Sequence, residues 1–130
     1  MIILTLRTDK PEAELGLYDN ETQLDYIKWQ AHLELSKTIN RQIEKILNKS
    51  SISAHQPQGI VCYRGPGSFT GLRIGLSVAN ALAYAHSIPI VATDGKDWLE
   101  TGIKQLIARQ NTRIALPEYD RPAATTLPKK

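Results

Sequence analysis

The sequence predicts an α/β domain in which helices cover a mixed five-stranded sheet. Three observations lead to this fold class. Short apolar segments separated by turn signals occupy residues 2–27, apolar residues at spacings of three and four follow, and the remainder alternates apolar runs with helical patterns. An antiparallel meander followed by alternating strands and helices produces a mixed sheet in the order β-β-β-α-β-α-β-α.

The opening segment predicts three antiparallel strands. Residues 2–6 are apolar and rich in β-branched side chains, which is typical of a buried strand. Turn residues at 9–11 precede a segment, 13–18, that suits a strand paired with the first. A second turn at 19–21 leads to a third strand over 23–27.

A helix and a buried strand are predicted next. Apolar residues spaced by three and four indicate an amphipathic helix of about five turns: Trp29, Leu33, Leu35, Ile39, Ile43, Ile46 and Leu47. Gly59–Tyr63 is a continuous apolar run, which is typical of a parallel strand buried on both faces. Cys62 within this run is predicted to be a buried small hydrophobic residue.

The last third of the chain alternates helix, strand and helix. The pattern predicts a helix over Phe69–His86, a strand over 88–92 and a helix over 96–110. Residues 112–116 suit a small strand or an extended segment. Three prolines and no apolar periodicity follow, so residues 117–130 are predicted to be a tail.

Length and composition limit the classes of protein to which this sequence can belong. The 130 residues suit one domain, which we place at residues 1–116, and 42% hydrophobic with 22% charged residues is an ordinary globular balance. A single cysteine excludes an internal disulfide and a multi-cysteine zinc site. No run approaches the roughly 20 apolar residues of a membrane span, and the N-terminus lacks the basic lead of a secretory signal. We therefore expect a cytoplasmic location.

The net charge of +3 lies entirely in residues 100–130, which hold six basic and three acidic residues. A basic end can attract RNA or dock on an acidic partner. We favour the simpler interpretation of a solvated tail.

A glycine-rich turn between strand and helix is the most unusual feature. Glycines allow the chain to reverse tightly, and free N–H groups at a helix start can hold an anion. The candidate anion-binding residues are Gly65, Gly67, Ser68, Thr70 and Arg73. The turn lacks the lysine and hydroxyl of a P-loop, and its glycines are spaced one residue too wide for the dinucleotide fingerprint. We therefore favour a tight structural turn.

The following helix carries a stripe of minimal side chains at a spacing of four: Gly71, Gly75, Ala79 and Ala83. Glycine costs about 1 kcal/mol in a helix interior, so a packing reason is expected. Leu72 and Leu76 supply apolar area beside the stripe. Small residues let another backbone approach closely, and that backbone belongs either to the domain's own sheet or to a helix of another subunit.

Residues 65–76, GPGSFTGLRIGL, resemble the hallmark of the TsaB family of tRNA threonylcarbamoyladenosine biosynthesis proteins, also called YeaZ. Residues 3–9 (ILTLRTD), 88–91 (IPIV) and 117–122 (PEYDRP) resemble the family's first strand, a later strand and its terminal motif. His32 and the helix after it resemble another family segment. The resemblance implies a single RNase H-like, actin-like ATPase (ASKHA) lobe whose second lobe is missing from this short chain.

The resemblance also implies a non-catalytic accessory subunit of essential type, with no enzyme activity and no cofactor of its own. Such a subunit would bind TsaD, which transfers threonylcarbamoyl to adenosine 37 of tRNA, as a heterodimer through a helix bundle. TsaE would complete the assembly, tRNA would be involved only indirectly, no membrane would take part, and a homodimer could form in isolation. The implied interface residues are Trp29, His32, Leu33, Ser36, Phe69, Gly71, Leu72, Gly75, Leu76, Ala79 and Ala83.

Two departures from the resemblance limit what it implies. Arg7 stands where nucleotide-binding relatives carry an acid that helps to hold metal and phosphate, and arginine cannot ligate a metal. Ser36 stands where the sister family's H-x-x-x-H helix has its second histidine. We therefore expect no metal site and no catalytic residue. Two other functions stay open: a phosphate- or nucleotide-binding enzyme that uses the loop from Gly65 to Arg73, and a homodimeric degenerate fragment.

Overall fold

The described part of the chain folds into a mixed five-stranded sheet with helices against both faces, which confirms the predicted fold class. The structure is a computed structural model that describes residues 1–67 and 69–116, apart from the side chains of His32 and Phe69. The predicted tail, residues 117–130, and Ser68 lie outside the described residues. The elements are β1 (Ile2–Arg7), β2 (Glu12–Asp19), β3 (Thr22–Gln30), α1 (Leu35–Lys49), β4 (Gly59–Tyr63), α2 (Phe69–His86), β5 (Ile90–Thr93) and α3 (Trp98–Ile107), with a 3-10 turn, His32–Glu34, before α1.

The strands are arranged in the order β3-β2-β1-β4-β5. β1, β2 and β3 form the predicted antiparallel meander, while β4 pairs with β1 and with β5 in parallel. Asn20 makes the turn between β2 and β3 with a φ of 54°, a conformation that asparagine tolerates better than most residues. β4 lies between two strands and is buried along its whole length, which explains its unbroken apolar sequence.

Alternating residues of β4 meet different helices. Ile60, together with Leu4 of β1, borders a groove lined by α1 and α2. Gly59 and Val61 point the other way and meet Leu106 and Gly102 of α3. Because successive side chains of a strand lie on opposite faces, α1 and α2 cover one face of the sheet and α3 covers the other.

The first helix begins later than the apolar spacing predicts. Trp29 pairs with Ala13 as part of β3, and the Ala31 N–H donates to the Pro11 carbonyl oxygen at 2.9 Å. α1 therefore begins at Leu35, and Leu33 lies in the 3-10 turn with its side chain 86% exposed. Trp29 still reaches the helix, because its Nε1 donates to Thr38 Oγ1 at 2.9 Å. Long-range strand pairing, which local spacing does not reveal, decides this boundary.

Residues 112–116 form neither a strand nor an extended segment, because Arg113 has a φ of 68° and the Ile114 N–H donates to the Thr112 carbonyl oxygen at 2.7 Å, which makes a tight turn. The Thr112 N–H donates to the Ile90 carbonyl oxygen at 2.9 Å, beside β5. Asn80 of α2 holds Ala115 through two hydrogen bonds: its Nδ2 donates to the Ala115 carbonyl oxygen at 2.9 Å, and its Oδ1 accepts from the Ala115 N–H at 2.7 Å. The segment therefore stays attached to the domain as far as residue 116.

The structure also describes the surroundings of the single cysteine and the character of the helices. Cys62 is buried, as predicted, and burial raises the pKa of its thiol. Among the described residues, no helix combines the length and the apolar character needed to cross a bilayer.

Replacing Gly102 by alanine should destabilise the domain. A Cβ at Gly102 would lie 2.3 Å from Val61 Cγ1, and Val61 is fully buried between neighbouring strands, so it has little room to move. Overpacking of this kind costs about 1–3 kcal/mol, against a gain in helix propensity of about 1 kcal/mol. We expect Gly102→Ala to lower the free energy of unfolding in urea by up to about 2 kcal/mol. Thr101→Ala, at the exposed neighbouring position, is the control and should change it little; equal stability of both variants would contradict the packing of α3 on β4.

Candidate functional site

The carboxyl ends of the parallel strands form the edge at which open α/β sheets commonly bind ligands. Here β1 ends at Arg7, β4 at Tyr63 and β5 at Thr93. Residues 64–67, which we call the glycine loop, follow β4 and precede α2. The Arg64 N–H donates to the Thr93 carbonyl oxygen at 2.8 Å, which holds the start of the loop beside β5. The glycine loop therefore lies at the edge where this fold class places a ligand site.

A buried ion pair occupies the end of β1. Arg7 Nε donates to Asp9 Oδ1 at 2.8 Å and Arg7 Nη2 donates to Asp9 Oδ2 at 3.1 Å, so both carboxylate oxygens are engaged. The two side chains are only 17% and 6% exposed. The guanidinium lies 3.9 Å above the centre of the Tyr63 ring and 5.9 Å from that of Trp98. Burial lowers the pKa of Arg7, but the hydrogen bond and charge of Asp9 outweigh this and raise it overall, so Arg7 stays charged.

A second polar contact lies beside this pair. Glu14 of β2 is the register partner of Arg7, and the hydroxyl of Tyr26 on β3 donates to Glu14 Oε1. Burial raises the pKa of Tyr26, and the hydrogen bond to Glu14 raises it further. Tyr26 is therefore a protonated hydrogen-bond donor at neutral pH and is not a general base.

Two glycines lie in close contact with the residues that follow β1. A Cβ at Gly67 would lie 2.4 Å from Asp9 Cβ, and a Cβ at Gly75 would lie 2.0 Å from Thr8 Oγ1. Thr8 Oγ1 itself donates to the Gly71 carbonyl oxygen at 2.8 Å, in the first turns of α2. The glycines of the loop and of α2 therefore make room for the chain that leaves β1.

This packing corrects the interpretation of the small-residue stripe. Gly75, Ala79 and Ala83 are buried, and Leu72 and Leu76 beside them are buried as well. These five residues lie inside the domain, Gly75 directly against Thr8, so they do not form the exposed surface that we predicted for a partner helix. The close approach of α2 to β1, and not the admission of another subunit, explains why the stripe is small.

The other predicted interface residues differ in exposure. Leu33 and Ser36 are exposed, while Gly71 and Trp29 are half-buried, and the side chains of His32 and Phe69 lie outside the described residues. A shallow groove runs between the first turns of α1 and the outer side of α2. It is lined by Ser36, Thr70, Arg73, Ile74, Ser77 and Val78. We call this surface the outer groove.

The candidate anion-binding loop is only partly an open surface. Gly65 is buried with a φ of 116°, a conformation that glycine adopts readily, and Gly67 lies against Asp9. Thr70 and Arg73 are exposed, but they face the outer groove, and Ser68 lies outside the described residues. No group of three or more histidine, cysteine or acidic side chains in the described parts of the chain is arranged to hold a metal ion.

Sequence reasoning missed Asp9, Tyr63 and Trp98 as members of this edge. The spacing of Arg7 and Asp9 was a usable signal, because residues two apart in extended chain lie on one face. The contribution of Trp98 had no local signal, since Trp98 begins α3, far along the chain from Arg7.

Solved structures share the architecture of this domain. YeaZ from Pseudomonas aeruginosa matches with a TM-score of 0.67 at 24% identity, over 72% of this chain and 43% of that chain. RuvC from Thermus thermophilus matches with a TM-score of 0.52 at 14% identity, over 95% of this chain and 86% of that chain. At these identities the likeness concerns the fold alone, and it defines an RNase H-like α/β lobe.

Sequence comparisons add the family. The model of TsaD, described as tRNA N6-adenosine threonylcarbamoyltransferase, matches residues 29–100, which is more than half of the chain. The tRNA threonylcarbamoyladenosine biosynthesis protein TsaB of Haemophilus influenzae is 29% identical over 70% of this chain, and that of Escherichia coli is 27% identical over 93%. The chain therefore belongs to the family that the TsaD model describes, and its similarity to TsaB and YeaZ proteins supports a place in the TsaB/YeaZ group. It spans 37% and 56% of the lengths of these two relatives.

A larger side chain at Gly75 should destabilise the domain itself. We expect Gly75→Ala to lower the free energy of unfolding by up to about 2 kcal/mol, because the overlap of its Cβ with Thr8 outweighs the gain in helix propensity. Thr8→Ala removes the two nearest atoms, so the double variant should lose less stability than the two single variants together. Ser77→Ala, on the exposed side of the same helix, is the control for chemical denaturation. Wild-type stability of Gly75→Ala would contradict the contact between α2 and β1.

Proposed function

We propose that this chain is a non-catalytic accessory subunit in the formation of threonylcarbamoyladenosine in tRNA, and that it binds a TsaD-type transferase. The observation that carries the proposal is the family membership, since both curated relatives described above are named for this biosynthesis. The proposal extends a role of longer proteins to a chain that spans part of their length, and so it needs its own test.

The chemistry at the edge of the sheet supports an accessory role. A carboxylate holds a metal or moves a proton most readily when its negative charge is not already paired with a buried cation. Both oxygens of Asp9 accept hydrogen bonds from Arg7, and Tyr26 stays protonated beside Glu14. This arrangement favours binding over catalysis, and it counts against the alternative of a nucleotide-binding enzyme that uses the glycine loop.

The outer groove is the surface that we assign to the partner. Its walls belong to α1 and α2, the two helices that the family resemblance places in a bundle with TsaD. Half-buried Ile74 and Val78 supply apolar area, and exposed Ser36, Thr70 and Ser77 are small enough to admit a helix. A partner that fits this surface would carry a helix with an apolar stripe and hydrogen-bonding groups at its edges.

A pair of arginine substitutions tests this assignment. Ser77→Arg places a long charged side chain in the outer groove, whereas Thr101→Arg places the same side chain on exposed α3, across the sheet. We expect Ser77→Arg to weaken binding to the TsaD of the same organism by about tenfold or more, and Thr101→Arg by less than about twofold. Calorimetric titration gives both dissociation constants, and circular dichroism confirms that both variants are folded.

The results separate the competing functions. Loss of binding in Ser77→Arg alone, together with loss of tRNA modification in an assay reconstituted with TsaD and TsaE, supports the proposal. Equal binding by both variants would show that the interface lies outside the outer groove. Absence of binding by the wild-type chain, with a homodimer in size-exclusion chromatography, supports the degenerate fragment instead.

A further inference from the structure

The Arg7–Asp9 pair lies where a ligand would be expected in this fold class. Parallel β1, β4 and β5 end at one edge, and the glycine loop passes over that edge into α2. At this position the guanidinium of Arg7 and the carboxylate of Asp9 bind each other. The two groups are 17% and 6% exposed.

The chemistry of this position does not fit a divalent metal ion with its phosphate. Hard cations bind carboxylates through their negative charge, and that of Asp9 is already paired with the Arg7 guanidinium, which donates to its two oxygens at 2.8 and 3.1 Å. The positive guanidinium would repel a cation placed beside it. Gly67 also lies directly against the Asp9 side chain, which leaves no space between the loop and the carboxylate stem.

The same pair is connected to the glycine loop from two sides. Asp9 packs beneath Gly67, as its close approach to a Cβ at that position indicates. Arg7 lies 3.9 Å above the ring of Tyr63, and the hydroxyl of Tyr63 donates to the Pro66 carbonyl oxygen at 3.1 Å. Tyr63 thus links the guanidinium to the residue before Gly67.

We propose that the Arg7–Asp9 ion pair is a built-in substitute for a bound ligand: it holds the glycine loop against β1 without any nucleotide or metal. In this role Arg7 supplies the positive charge and Asp9 the negative charge of the site, both from one strand end. The loop and the start of α2 then keep one conformation whether or not a nucleotide is present. The inference does not depend on the proposed partner, because it concerns the order of the loop alone.

Hydrogen exchange of the loop amides tests the proposal on the full chain. A second arginine ion pair at the same loop provides a matched control: Arg64 Nη2 donates to Asp94 Oδ2 at 2.7 Å, but these side chains are 43% and 41% exposed. We expect Arg7→Met to accelerate exchange at the three backbone amides of residues 64–67, those of Arg64, Gly65 and Gly67, by about tenfold or more. Arg64→Met should accelerate it by less than about twofold, because exposed pairs are weak. Amides of α1 serve as the internal reference.

A double variant separates the role of the pair from the cost of an unpaired buried charge. Arg7→Met leaves the Asp9 carboxylate without its partner, which could itself disturb the fold. Arg7→Met with Asp9→Asn removes both charges and should fold normally. Continued fast exchange at residues 64–67 in this variant supports the proposal, and wild-type exchange overturns it.

Titration of the wild-type protein with MgATP completes the experiment. Unchanged exchange at residues 64–67 at millimolar MgATP is the expected result, because the ion pair already holds the loop. Slower exchange at these residues on addition of MgATP, accompanied by measurable heat of binding, would overturn the proposal, since the loop would then still depend on a ligand.

Discussion

The close contact between the end of β1 and the start of α2 is the constraint on which the rest of this structure depends. Thr8 donates to the carbonyl oxygen of Gly71, and neither Gly67 nor Gly75 leaves room for a Cβ beside the chain that follows β1. The helix can lie this close to the sheet only because these positions carry no side chain. This contact determines how close α2 lies to the end of β1. The buried leucines and alanines of the same helix then complete the core.

The two sides of α2 consequently have different tasks. Its inner side is buried in this domain, so the size of the side chains there is limited by the packing of the domain's own core. Its outer side, with Arg73, Ser77 and Val78, lines the outer groove beside α1. A change on the inner side is therefore expected to act through stability, whereas the proposed role of the outer groove predicts that a change there acts through binding. Measurements of binding need to be paired with measurements of folding.

The edge of the sheet departs from what the fold class usually offers there. In place of acceptors and donors aimed at a ligand, Arg7 and Asp9 satisfy each other, and Tyr63 and Trp98 enclose the guanidinium. A buried pair needs well-formed hydrogen bonds on both partners to offset the loss of hydration, and the two-pronged contact supplies them. The end of β1 is thus occupied by the chain's own charged groups.

The sequence by itself determined the fold class, the meander, and the bounds of β4 and α2, because unbroken apolar runs and regular spacing are local properties. It also located the small-residue stripe, but only the tertiary structure decided which neighbour the stripe meets. Periodicity tells which residues share a face and says nothing about what lies opposite that face. The late start of α1 after Trp29, and the meeting of Arg7 with Trp98, have the same cause: both depend on pairing between distant segments, whose free energy is not contained in either segment alone.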